Sequence, residues 1–249
     1  MSDRSISVVI PAYHEEARIG AAVRSVHEHV PAAYLREVVV VDHGSRDRTV
    51  ACAEEAGARV LVFRDGTIAE QRNRGAAATS GAYLLFLDAD VTLTAAWRES
   101  LDAVLAALEA APMTVTGSHT IPPPDGNVFE RHWFAHIAAI GPAKHLGSAH
   151  MLMARACFDV VGGFDASLVT GEDFEFCVRA ARRGAAVVND SRLVAVHHDF
   201  PNSVRAFVRR EAWHGRGNFA SLAMALSSPV SLATLAFAGL HLSVPVAAA

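Results

Sequence analysis

Apolar, β-branched runs alternate with stretches of helical periodicity along the first half of the chain. Ile6 to Ile10 is a continuous apolar run closed by Pro11, the mark of a strand buried on both faces. Glu15 to His29 follows, with Ile19, Ala22, Val23 and Val26 at helical spacing. Glu37 to Val41 reads as a second strand, Ala58 to Phe63 as a third and Tyr83 to Leu87 as a fourth. Between them, Arg46 to Glu55 (stopped by Gly57) and Ile68 to Ala78 read as helices. Ala95 to Ala110 is a long helix and Met113 to Gly117 a fifth strand. This alternation predicts βαβ units with right-handed crossovers: an α/β fold with a mostly parallel central sheet flanked by helices on both faces. In such sheets ligands gather beyond the carboxyl ends of the strands. Pro11-Ala12-Tyr13, Asp42-His43-Gly44-Ser45 and Asp88-Ala89-Asp90 fall there.

The second half is less regular. Ile121 to Gly126 holds three consecutive prolines and reads as a rigid loop. Phe129 to Ile140 looks helical, Gly147 to Ala154 strand-like, and Glu172 to Arg183 helical up to Gly184. Leu193 to Val196 is a short strand ending at His197-His198, and Ser203 to Trp213 another helix. After Arg216 no Asp, Glu, Lys or Arg appears through Ala249. Val230 to Ala249 has about the length of a membrane span, but it is rich in Ala and Ser and broken by His241 and Pro245. Arg205, Arg209, Arg210 and Arg216 precede it, as on a cytoplasmic flank. Two readings stand for this tail: contact with a membrane, or an amphipathic helix pair closing the domain. The division expected is a domain over 1–217 and an apolar C-terminal extension over 218–249. The chain stops inside the apolar stretch, as a piece of a longer protein would.

Composition narrows the function classes. The 249 residues suit one large domain or two small ones. A net charge of −4 weighs against nucleic acid as a partner. With 51% hydrophobic and 19% charged residues, disorder is excluded. Cys52, Cys157 and Cys177 are far apart with no CxxC spacing, so neither a disulfide framework nor a zinc knuckle is suggested, and the simpler compartment is the cytoplasm. The N-terminus has no secretory pattern. No GxGxxG follows a strand and no Walker-type loop is present, which argues against a dinucleotide-dependent oxidoreductase.

The acids at the strand ends are the candidate chemistry. By strand alternation, Asp88 and Asp90 are expected on one side, where two carboxylates meet one hard cation such as Mg²⁺ or Mn²⁺. The bland alternative is a solvated polar turn. Asp42 is a ligand candidate for a nucleobase or ribose edge, while Ser45 and Asp47 suit capping of the next helix. Glu172-Asp173 opens a helix, where the dipole favours acids, yet two adjacent acids with Glu175 exceed what a cap needs. An ionised acid there suits a general base. His197 or His198 is a third metal ligand by type, and a nitrogen ligand tilts the preference toward Mn²⁺. Arg72, Arg209, Arg210 and Arg216 suit diphosphate oxygens or, equally, solvated helix faces.

Taken in order, these elements resemble the family 2 glycosyltransferases of GT-A fold, a Rossmann-like sandwich. The matching stretches are Ser7 to Glu16, Val40 to Asp47, Arg72 to Gly75, Phe86 to Asp90, and Val161 to Asp165 leading to Gly171-Glu172-Asp173. The stretch from His197 through Arg209-Arg210-Glu211-Ala212-Trp213 looks like members that act on lipid-linked or cell-surface acceptors. The resemblance implies metal-dependent transfer of a sugar from a nucleotide-diphosphate donor to a glycan or lipid-linked hydroxyl, with inversion, at the inner face of the membrane. It implies that Pro11, Ala12, Tyr13, Glu15 and Asp42 line the nucleoside pocket, with Arg72, Arg209, Arg210 and Trp213 toward the rest of the donor. Asp88 would lie near the ribose and metal, and Asp90 would bind Mn²⁺ or Mg²⁺ with His197 or His198. Asp173 would be the base and Glu172 its supporting acid. Many relatives carry two adjacent acids where this chain has Asp42-His43; His43 either alters donor choice or faces away. A catalytically silent, membrane-attached module of the same fold that binds nucleotide sugars is the competing reading.

Overall fold

The four N-terminal apolar runs become adjacent strands in a computed structural model, which describes residues 3–126, 140–198, 203, 205 and 206. They are β1 (Ile6–Ala12), β2 (Leu35–Asp42), β3 (Arg59–Val62) and β4 (Tyr83–Leu87), joined by α1 (Ile19–His29), α2 (Thr49–Glu55) and α3 (Ile68–Ala77). Next come β5 (Val91–Leu93), α4 (Ala95–Ala110), β6 (Thr114–Gly117), β7 (Gly141–Pro142) and β8 (His150–Ala154). The last elements are α5 (Arg155–Val161), α6 (Glu172–Arg182), β9 (Ala186–Asn189) and β10 (Ala195–His197).

The main sheet has eight strands in the order β3-β2-β1-β4-β8-β6-β9-β7, and β10 pairs separately with β5. The ladders β3-β2, β2-β1, β1-β4 and β6-β9 are parallel. The ladders β4-β8, β8-β6 and β9-β7 are antiparallel. The sheet is therefore mostly parallel, with β8 and β7 running against the rest. Pro11 lies past the last β4 partner of β1, where Val9 meets Phe86, so its missing N–H leaves no β4 acceptor unpaired.

Alternate residues of the buried strands feed two cores, as a two-faced sheet requires. Val8, Ile10, Val38, Val40, Leu85 and Leu87 pack with Ile19, Val23 and Val26 of α1 and with Trp97, Leu101, Leu105 and Leu108 of α4. Val9, Val39, Val41, Leu84 and Phe86 pack with α3, α5 and α6 through Ala69, Phe158 and Phe176.

Three local departures have physical causes. α1 begins at Ile19 and α2 at Thr49, later than the periodicity implies, because the residues before each form side-chain-tied loops. Asp88 to Val91 is a tight turn closed by Val91 N–H donating to the Asp88 carbonyl at 3.1 Å. The alternation of a strand therefore does not apply to Asp88 and Asp90. The helices expected over Phe129 to Ile140 and Ser203 to Trp213, and the apolar tail, lie outside the described residues or nearly so. Among the described residues no helix is long and apolar enough to cross a membrane. The expected boundary at 217 lies outside the described residues.

Candidate functional site

At the carboxyl ends of β1 and β2, two loops are sewn together by the polar residues of the second motif. Ser45 Oγ accepts from the His14 N–H at 2.9 Å and Thr49 Oγ1 from the Glu15 N–H at 2.8 Å. The Arg48 N–H donates to Glu16 Oε2 at 2.9 Å. Asp47 Oδ1 accepts from both the N–H and the hydroxyl of Thr49. Ser45 thus ties loop to loop. Asp42 is fully buried; its Oδ2 accepts from the Gly44 and Ser45 N–H groups at 2.8 and 2.9 Å. Its Oδ1 has no partner among the described residues, and a buried acceptor without a donor is costly. Pro11 and Ala12 are buried beside it, Glu15 is half-buried, and Tyr13 is 54% exposed. The Tyr13 ring stacks on His14 and meets His43 edge-on at 5.5 Å. His43 Nδ1 lies 3.1 Å from the Phe63 carbonyl. That carbonyl can only accept, so Nδ1 carries the proton. His43 therefore turns toward β3 and Tyr13.

The turn after β4 sends its two acids in different directions. Asp90 Oδ2 lies 2.8 Å from His197 Nε2 of β10. Burial opposes ionisation of Asp90, but the His197 hydrogen bond and the charges of His197 and His198 outweigh it, holding this carboxyl below its ordinary value. His198 gives its backbone N–H to the Asp90 carbonyl, while its Nε2 lies 2.9 Å from Thr92 Oγ1. Of the two histidines, His197 is the one whose ring reaches the Asp90 carboxylate. Among the described residues no three acidic, imidazole or thiol side chains form a ready metal cage. The donor types at Asp90, His197 and Asp88 nonetheless suit Mn²⁺ or Mg²⁺, which leave much of their shell to water and phosphate oxygens.

Asp88 Oδ1 instead accepts from Arg72 Nη2 at 2.7 Å. Arg72 Nη1 donates to Glu172 Oε1, also at 2.7 Å, and the guanidinium is 1% exposed. One buried cation thus joins the end of β4 to the first turn of α6. Ser148 Oγ donates to Glu172 Oε1 at 3.3 Å, and the Ser148 N–H approaches Asp173 Oδ2 at 3.4 Å. Glu172 is buried, whereas Asp173 is half-buried. Gly171 precedes them with φ 76°, a left-handed conformation favouring glycine, and opens α6 so that three acids fall in its first turn. The expected site residues of this end are therefore together: Asp88, Arg72, Glu172 and Asp173. The expected contact of Arg72 with a diphosphate has a competing partner, since both its terminal nitrogens hold carboxylates. Ser148 is a participant that the sequence did not disclose; a single serine before a strand carries no signal. Arg209, Arg210, Arg216 and Trp213 lie outside the described residues.

The profile of Glycosyl transferase family 2 matches residues 7–151, and that of Glycosyl transferase family group 2 matches residues 83–248. A pre-mycofactocin glycosyltransferase of Mycobacterium tuberculosis is 29% identical over 245 residues, covering 90% of this chain and 48% of that protein. The chain thus spans about half the length of that curated relative. Among solved structures, a mannosyltransferase from Pyrobaculum calidifontis in complex with GDP-Man and Mn²⁺ is similar, with a TM-score of 0.68 and 19% identity over 96% of this chain and 76% of that one. GalNAc-T7 with UDP, GalNAc and Mn²⁺ is similar at 0.64 and 18% identity, over 82% and 47%. These two likenesses show the fold, which is GT-A.

Proposed function

Because the chain belongs to glycosyl transferase family 2, we propose that it moves a sugar from a nucleotide-diphosphate donor to an acceptor hydroxyl. The bridge through Arg72 carries this reading: it fixes a donor-side acid, Asp88, to an acceptor-side pair, Glu172 and Asp173, at the open end of the sheet. The neighbouring structures, solved with GDP-Man or UDP and with Mn²⁺, support a nucleotide-sugar donor and a divalent ion.

In this reading the unpartnered Oδ1 of Asp42 takes a hydrogen-bond donor from the nucleoside, with Pro11, Ala12, Tyr13 and Glu15 around it. Asp88 lies toward the ribose and is held by Arg72, which we assign to positioning. Asp90 and His197 would hold a divalent ion, which would supply positive charge against the departing diphosphate. Asp173 is the base, and the division of labour follows from exposure. Glu172 is buried against Arg72 and Ser148, whereas Asp173 is reachable. Its carboxylate takes the acceptor's hydroxyl proton as the oxygen bonds to the anomeric carbon. The bond to the diphosphate breaks on the opposite face, and the electron pair leaves with the nucleotide, which inverts the centre. A glycan or lipid-linked acceptor, a domain reaching to 217, and membrane contact through 218–249 complete the proposal.

Calorimetric titration with UDP- and GDP-sugars, with and without Mn²⁺, tests the donor site. One donor class is expected to bind in a manganese-dependent way, and Asp90→Ala to lose that dependence. Asp173→Asn is expected to bind donor as the wild type does and to lose turnover by roughly 100-fold or more. Wild-type turnover in Asp173→Asn removes Asp173 from the role of base. Binding of a sugar nucleotide without any turnover by the wild type favours the silent-module reading.

A further inference from the structure

We infer that Asn73 is a positioning residue for the segment that delivers Asp173, an assignment that rests on Asp173 being the base. Its carboxamide pairs with the Phe164 backbone much as one strand pairs with another. Asn73 Nδ2–H donates to the Phe164 carbonyl at 2.8 Å, and the Phe164 N–H donates to Asn73 Oδ1 at 2.9 Å. Two opposed bonds fix the amide orientation, since a flipped carboxamide would set donor against donor and acceptor against acceptor.

The chain is shaped to receive this contact. α5 ends at Val161, and Gly162 and Gly163 follow with φ 88° and 70°. A Cβ on Gly163 would sit 2.8 Å from Asn73 Oδ1. Glycine is required there twice: for the left-handed backbone, and for the space that the carboxamide fills. The Phe164 ring then enters an aromatic cluster, 4.8 Å from Phe176 and 5.1 Å from Phe86 between centroids.

α3 and its cap hold the same segment at two further points. Thr67, the N-cap of α3, donates its hydroxyl to the Ala166 carbonyl at 3.0 Å. Arg72 takes Glu172, as described above. Residues 164–171 contain no helix or strand, so they have no ladder of their own. α3 and its cap therefore grip the segment at its start, two residues further on and at its end, and Asp173 is the next residue after the last grip. Arg72 sets the direction of the Glu172 carboxylate; Asn73 sets where the segment begins.

Amide hydrogen exchange on the full chain without ligand, in wild type and Asn73→Ala, tests the clasp whatever donor the chain takes. Exchange in 165–172 is expected to rise roughly 10-fold in Asn73→Ala, with β1 and β2 unchanged. Asn73→Asp, which keeps the acceptor and loses the donor, is expected to fall between. Steady-state hydrolysis of UDP-glucose and GDP-mannose with Mn²⁺ gives the second readout. For the donor turned over, kcat is expected to fall roughly 10-fold in Asn73→Ala with KM changed by less than about 2-fold, because transition-state positioning is lost and donor binding is not. Unchanged exchange in 165–172 overturns the proposal, and so does faster exchange throughout the sheet, which makes Asn73 an ordinary stabilising residue. Asp173→Asn separates the two layers. Wild-type turnover in that variant overturns the base, whereas an inactive Asp173→Asn beside a wild-type kcat in Asn73→Ala overturns the positioning role alone.

Discussion

His150 is fully buried at the start of β8, among donors that hold its ring in place. The Trp97 indole N–H can only donate, and it meets His150 Nε2 at 2.8 Å. Nε2 therefore accepts, and Nδ1 faces the Ser118 N–H and hydroxyl, both at 3.2 Å. The Ser118 hydroxyl passes its own proton to the Leu193 carbonyl. This relay joins α4, β8 and the segments after β6 and before β10 only while the ring is neutral. Burial lowers the His150 pKa from 6.5 to about 4. The folded state thus binds a proton less readily than the unfolded chain. The stability due to the neutral ring is complete above about pH 6.5 and is lost as pH falls from there toward 4. From that shift, about 2 kcal/mol is expected to be gone by pH 5. Urea midpoints between pH 7.5 and 5 measure it. His150→Gln is expected to be less stable at pH 7.5 and to have a flatter slope; an equal slope in both would assign the pH dependence elsewhere. Arg72 presents the opposite case, a permanent cation between two carboxylates, where removal leaves Asp88 and Glu172 without the charge that holds them.

At the scale of elements, the loop after β1 and the loop before α2 behave as one piece. Thr49 is fully buried, accepts from the Glu15 N–H and donates to Asp47. Thr49→Val keeps the shape and strands a backbone donor, so a loss of about 1–3 kcal/mol is expected in urea unfolding. A loss below about 0.5 kcal/mol would mean that the two loops are held by Ser45 and Glu16 without it. The same loops mark how far the sequence could be read. β1, β2 and β4 were legible because strands buried on both faces must be apolar throughout, and α4 because five core residues repeat along it. α5 and β9, of 7 and 4 residues, were missed, whereas α2 and β3 of the same lengths were read from the strand–helix alternation of the first half. In the site, the acids could be read because each ends a strand or opens a helix. Their partners could not. Arg72 meets Glu172 across a separation of 100 residues, and Asn73 meets Phe164 across 91. Spacing along the chain carries no trace of such contacts.

For the whole molecule, the parallel half and the site come from one rule, since the strand ends that carry the acids point the same way. The interruption is β8, which enters between β4 and β6 and runs against both. Its first residue is His150, and the residues just before it, Gly147 and Ser148, approach Asp173. The reversed strand thus brings a second loop to the open end of the sheet, beside the first turn of α6.

The position of β8 also sets a timetable for synthesis. All ladders among β1, β2, β3 and β4 close within the first 87 residues. β6 ends at Gly117, yet its two neighbours in the sheet, β8 and β9, begin only at His150 and Ala186. A chain leaving the ribosome can thus assemble its β1–β4 part early, while β6 waits with both edges bare. Such an exposed edge is where a nascent chain pairs wrongly. In refolding, pulse-labelled amides of β1, β2 and β4 are expected to gain protection before those of β6 and β9. Simultaneous protection would show that both halves cross one barrier together.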